Sequence, residues 1–79
     1  MARDILIVDD EADIRELIGG LLEDEGYEPR GAADSDGAMR EFQARQPSLI
    51  ILDGWLQGSR LDGLELLDEF RAIDPDLPI

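Results

Sequence analysis

Ile5-Leu6-Ile7-Val8-Asp9-Asp10-Glu11 and, further along, Leu49-Ile50-Ile51-Leu52-Asp53 are the stretches that decide the fold. Each is a short run with no polar residue, ending abruptly in acid. A run apolar on both faces suits a strand buried on both sides in a parallel sheet, where helices cover each face. After the first run, Asp10 or a neighbouring acid can open a helix, and Glu11 and Asp13 suit its positive amino end. Ile14, Leu17, Ile18, Leu21 and Leu22 recur at helical spacing and are expected to face the core. Gly26 is placed to stop that helix, because glycine tolerates the left-handed conformation found there.

Tyr27 to Ala32 reads as a weaker second strand. Pro29 lacks a backbone donor, which assigns this strand to a sheet edge. Asp34, Ser35 and Asp36 offer caps for a second helix with an apolar face of Ala38, Met39 and Phe42, and Pro47 follows it. Residues 54–63 form a loop containing Gly54, Gly58 and Gly63. Leu64, Leu67 and Phe70, with Leu61 and Ile73, make a third helical stripe, which Asp74-Pro75-Asp76 ends. Leu77-Pro78-Ile79 looks like the first step of another strand. Strands alternating with helices predict an α/β fold, a doubly wound parallel sheet with right-handed crossovers, in a single small domain.

Composition narrows the chemistry. The chain has 79 residues, 20 of them Asp or Glu, against seven Arg, with no Lys, His or Cys, and a net charge of -13. That charge argues against a nucleic-acid partner for this segment, since phosphates must be met by positive charge. It argues equally against an anionic membrane surface, and no apolar run approaches the roughly 18 residues of a membrane span. The amino end has no secretory signal pattern. These features fit a cytoplasmic location. Disulfides, thiolate or imidazole catalysis, Cys/His zinc sites, Schiff bases and lysine phosphate loops are all excluded. Carboxylates, hydroxyls and guanidiniums remain, and they favour a hard cation with oxygen ligands.

In an open α/β sheet, ligands gather beyond the carboxyl ends of the strands. If the first and third strands are neighbours, Asp9, Asp10 and Asp53 converge there. Three carboxylates at one point repel one another unless a cation neutralises them, and Mg²⁺ is the oxygen-preferring ion of suitable size. The alternative is that these acids are helix caps and strand-end solubilisers, a common role for Asp.

These residues carry a family resemblance. The run 5–11, the run 49–53 and Leu61-Asp62-Gly63-Leu64-Glu65-Leu66-Leu67 together resemble the receiver domain of bacterial two-component response regulators, over residues 4–79. The loop Trp55-Leu56-Gln57-Gly58-Ser59-Arg60 is longer than in ordinary receivers and is similar to that of nitrogen-regulation regulators of the NtrX type. The resemblance implies a partial flavodoxin-like (CheY-like) sheet with strand order 2-1-3, the remaining strands lying outside the chain, so that residues 1–79 make an incomplete receiver domain. It implies that Asp53 is the phosphoacceptor for a sensor histidine kinase, in a signalling module rather than an enzyme. Mg²⁺ would be held by Asp10 directly, by Asp9 mainly through water, by Asp53, and by the backbone carbonyl of Trp55. The Trp55 indole carries no such implication and can be plain loop packing. Arg60 either meets a phosphate or balances Asp62.

The same resemblance implies a Ser or Thr on a fourth strand and a Lys after a fifth, and neither position falls within these residues. Phosphorylation of the 79-residue chain is therefore expected to be impaired. The outer edge of the third strand is also expected to be uncovered, which favours a homo-oligomer through the third strand and third helix. Three functions are on the table: a phosphoacceptor module of a transcriptional regulator, a phosphorylation-independent dimerisation module on the same scaffold, and an acidic-site phosphatase. The last lacks any general acid or loop signature.

Overall fold

The computed structural model describes residues 3–54, 56 and 58–79. Its elements run β1 (Asp4–Val8), α1 (Ala12–Asp24), β2 (Glu28–Ala32), α2 (Ser35–Ala44), β3 (Leu49–Leu52) and α3 (Gly63–Ile73). Among the described residues the sheet has three strands in the order β2-β1-β3. Both pairings are parallel, with Ile5 opposite Pro29 on one side and Leu49 on the other. This is the flavodoxin-like order expected, and Pro29 does lie on an edge strand. Leu77–Ile79 forms no strand, but Ile50 N donates to Pro78 O at 3.0 Å, so the segment runs beside β3.

The alternation of side chains along a strand splits the apolar runs between two faces. Leu6, Val8 and Ile50 point into one core with Ala38 and Phe42 of α2 and Leu66 and Phe70 of α3. There the Phe42 and Phe70 rings stack with centroids 4.9 Å apart, a geometry favoured by their quadrupoles. Ile5 and Ile7, on the opposite face, are buried as well. The continuous hydrophobicity of β1 is thus explained by cover on both sides.

Two of the helices, α1 and α3, depart from the expected stripes. In α1 the buried residue is Gly19, whose bare backbone sits 3.8 Å, measured from an added Cβ, from Pro29 of β2. That approach turns Ile14, Ile18 and Leu22 partly inward but leaves Leu17 and Leu21 about 60% exposed. In α3 the inward face is Gly63, Leu66 and Phe70, whereas Leu64 and Ile73 lie outside. Apolar periodicity located all three helices and gave the inward face of α2, with Ala38 and Phe42 buried and Met39 packed against the core, but it misjudged the rotation of α1 and α3. The end of α1 follows expectation: Gly26 has φ 87°, its N–H bonds Glu23 O at 3.0 Å, and Tyr27 N bonds Leu22 O at 3.0 Å. This paired bonding is a Schellman stop.

An ionic cluster pins the amino ends of the strands to α2. Arg30 of β2 donates from Nε to Asp4 Oδ1 at 2.8 Å, from Nη1 to Glu41 O at 2.7 Å and from Nη2 to Arg45 O at 2.6 Å. Arg45 Nε adds a contact to Asp4 Oδ2 at 2.5 Å. Arg30 thereby ties β1 to the carboxyl end of α2, through Glu41 O, which also accepts from Arg45 N, and through the carbonyl of the C-cap residue Arg45. Partial burial opposes ionisation of the Asp4 carboxyl, but the hydrogen bonds and charges of Arg30 and Arg45 together outweigh it and hold the group below its ordinary value of 3.8. A depressed folded-state pKa contributes stability above that value, and the contribution disappears as pH falls through the folded pKa. Asp4→Asn is therefore expected to lower stability at neutral pH and to flatten its loss below pH 3.8, as read from urea midpoints across an acid titration. Parallel pH profiles for the two proteins would contradict this.

Candidate metal centre

The parallel register that places Val8 opposite Leu52 also brings the next residues of both strands side by side. The ladder bonds continue one step beyond the strands: Asp53 N donates to Val8 O at 2.9 Å and Asp9 N to Ala32 O at 3.1 Å. Asp9, Asp10 and Asp53 are each half-buried and offer carboxylate oxygens all within 4.8 Å of one another. At that separation each pair of charges repels by roughly 1–3 kcal/mol for effective dielectrics between those of water and a protein surface. An all-oxygen donor set of carboxylates is of the kind that Mg²⁺ takes. Trp55, whose carbonyl was the other expected ligand, lies outside the described residues.

Asp9 is held at its backbone and at its side chain. Besides its ladder bond, its Oδ1 accepts from Glu11 N at 2.9 Å, and its carbonyl accepts from Arg15 Nη1 at 2.6 Å. The β1–α1 turn is thus closed by a side chain of the acidic pair itself, and Glu11, at the N-cap position, makes no side-chain cap bond.

The loop between β3 and α3 is anchored at both ends. Asp62 caps α3 by accepting from Glu65 N at 2.8 Å, while Glu65 Oε1 accepts from Asp62 N at 3.2 Å, a reciprocal capping box. Asp62 is therefore engaged with its own helix, and Arg60 pairs instead with Asp36 of α2 at 3.2 Å. Both partners are largely exposed, so the pair adds little stability. Gly63 explains the Asp-Gly pair physically. A Cβ there would lie 2.6 Å from Gly54 Cα and closer still to Asp53 O, so only glycine lets α3 begin against the residue that follows β3.

Ser35 was legible as a possible cap, yet Asp34 is the residue that caps α2, accepting from Gly37 N at 2.8 Å. Ser35 is fully buried and holds the loop instead: its N–H donates to Ser59 Oγ at 2.8 Å, and its Oγ accepts from Leu61 N at 3.2 Å. Neither this exchange nor the reach of Arg15 back to Asp9 leaves a spacing signal in the sequence. Leu56, in the same loop, is buried in the core.

A sheet ordered 2-1-3 with acids gathered at its carboxyl end defines a class of protein. Residues 5–79 match the response regulator receiver domain, and the chain belongs to that family. It is 63% identical over 79 residues to the nitrogen assimilation regulatory protein NtrX of Azorhizobium caulinodans, with all of this chain aligned to 17% of that protein. The crystal structure of the receiver domain of NtrX from Brucella abortus superposes with a TM-score of 0.92 at 59% identity, covering 95% of this chain and 62% of that one. The response regulator TrrA of Thermotoga maritima, solved in complex with Mg²⁺-BeF, gives a TM-score of 0.85 at 39% identity, covering 94% of this chain and 63% of that one. The chain is NtrX-like, and it spans about a sixth of the length of the NtrX relative it matches.

The approach of Gly63 to the end of β3 makes a specific demand. Gly63→Ala is expected to destabilise the fold by about 1–3 kcal/mol, the usual cost of overpacking a close contact. Because the clash is with the Asp53 and Gly54 backbone, amide resonances of residues 53 and 54 should shift along with it. An unchanged urea midpoint would show that α3 can move away freely.

Proposed function

We propose that residues 1–79 are the amino-terminal part of a phosphoacceptor receiver domain, belonging to a cytoplasmic, NtrX-type regulator of nitrogen-responsive transcription. The observation that carries this reading is the convergence of Asp9, Asp10 and Asp53, from two adjacent strand ends, to within 4.8 Å. In this reading Asp53 accepts the phosphoryl group of a sensor histidine kinase. A carboxylate oxygen of Asp53 attacks phosphorus, the phosphorus–nitrogen bond breaks, and the electron pair leaves with the imidazole, which takes up a proton. The product is an acyl phosphate on Asp53. Asp10 would ligate Mg²⁺ directly, Asp9 would act mainly through water, and Asp53 and the Trp55 carbonyl would complete the protein's share. Bound there, Mg²⁺ offsets the charge on the carboxylates and the transferring oxygens. Asp53 is held in line by its ladder bond to Val8. The kinase supplies the phosphoryl group, and neither nucleic acid nor membrane is a partner of this segment.

Mg²⁺ titration followed through Trp55, the single tryptophan, tests the metal assignment. A saturable fluorescence change is expected in the wild type and none in Asp10→Ala. A response that survives Asp10→Ala would refute the ligand set. Incubation with acetyl phosphate tests the acceptor: with no Lys in the chain, labelling is expected to be weak and to vanish in Asp53→Asn. Strong labelling would show that the missing Lys is dispensable, and labelling retained in Asp53→Asn would remove Asp53 as acceptor.

One observation favours a second reading, a dimerisation module independent of phosphorylation. Leu64, Leu67 and Ile79 line an open groove along Leu49–Leu52, and Leu64 is 67% exposed. The β3 edge is met by the Ile50–Pro78 hydrogen bond rather than by a strand, and apolar surface beside such an edge recruits partners. A concentration-dependent sedimentation coefficient, lost in Leu64→Glu, is expected from a homo-oligomer built through β3 and α3. A coefficient constant across concentration would set this reading aside.

A further inference from the structure

The side chain of Arg15 leaves the first turns of α1 and runs back toward the sheet, ending on the carbonyl of Asp9 at 2.6 Å. Its path is specified. Arg15 passes over Gly31 of β2, where an added Cβ would be 3.2 Å from Arg15 Cδ and 3.5 Å from its Nε. On its other side lies the open cleft between α1 and β2, about 330 Å³, walled in part by Gly19, Gly20 and Pro29. The bare backbone at Gly31 leaves a track along the sheet, and the guanidinium occupies it. The consequence falls on Asp9. With its N–H on Ala32 O, its Oδ1 on Glu11 N and its C=O on Arg15, the backbone on both sides of Asp9 and one carboxylate oxygen are committed. The second oxygen is left with a narrow range of directions.

We infer that Arg15 is a positioning residue for the metal centre: by clamping the Asp9 carbonyl it sets the direction in which the Asp9–Asp10 pair presents its oxygens. This rests on the Mg²⁺ reading above. The clamp is electrostatically adverse, because a guanidinium beside the cluster repels an incoming cation. Its removal therefore separates two roles by sign. A guanidinium acting only through its charge would, once lost, leave Mg²⁺ bound more tightly. A positioning group, once lost, leaves Mg²⁺ bound more weakly, because residues that orient metal ligands typically carry 10–100-fold in affinity.

The experiment compares wild type, Arg15→Met and Gly31→Val by calorimetric Mg²⁺ titration, with urea midpoints confirming that each is folded. Arg15→Met keeps an unbranched stem that reaches about as far as the Arg15 Nε and removes the donors. Gly31→Val keeps the guanidinium and obstructs its track, from a position that touches no expected ligand. Both are expected to weaken Mg²⁺ by about tenfold, the lower end of that range. Unchanged or tighter binding by either folded variant overturns the inference. A second measurement needs no metal: hydrogen exchange at the Glu11 amide, which bonds Asp9 Oδ1, should accelerate in both variants. If the wild type binds no Mg²⁺, the functional reading fails by itself. Glu11 exchange then decides separately, faster exchange supporting the clamp on Asp9 and unchanged exchange refuting it.

Discussion

Parallel pairing of β1 with β3 is the constraint on which the rest of the structure depends. Two strands running in the same direction end on the same side, so whatever follows Val8 must meet whatever follows Leu52. Antiparallel pairing of the same runs would have sent Asp9 and Asp53 to opposite ends of the sheet. The parallel arrangement requires a helix between successive strands, and those helices are what bury Ile5 and Ile7 on one face and Leu6 and Val8 on the other. Burial of the runs and gathering of the acids are two results of one topology.

The charge balance is managed by a few arginines rather than by neutralisation. Against twenty acids the chain sets seven arginines, and several of those spend their donors on backbone carbonyls. Arg30 holds Glu41 O and Arg45 O, Arg15 holds Asp9 O, and Arg71 Nη1 reaches Pro75 O at 3.2 Å and also Leu77 O. A planar fork of five donors is suited to tying chain ends together in this way. Asp9, Asp10 and Asp53 lie at the opposite end of the sheet from Asp4, whose carboxylate is paired with Arg30 and Arg45.

Much of this was readable from local patterns. The six elements, the edge position of the Pro29 strand, the stop at Gly26 and the capping role near Asp34 each follow from a residue's own backbone preferences or from short-range periodicity. The rotation of α1 and α3 did not. Leu17 and Leu21 belong to the apolar stripe of α1, yet Gly19 faces the sheet, because close docking on Pro29 is set by the shape of the strand beneath. In α3, Leu66 replaces Leu64 in the core, since Gly63 must meet the Asp53–Gly54 backbone and that contact fixes the angle of the helix. Arg60 pairs with Asp36 of α2, and Asp62 serves the capping box of α3.

By itself the sequence determined the kinds of element, their order and the acids that end two of the strands, because helix and strand periods and cap preferences act over a few residues. Only the tertiary structure decided that Asp9, Asp10 and Asp53 stand within 4.8 Å, that Ser35 and Ser59 hold the loop to α2, and that Arg15 reaches back to the Asp9 carbonyl. These are contacts between groups on different elements. Their geometry depends on strand register and helix docking, which are settled by packing across the whole domain.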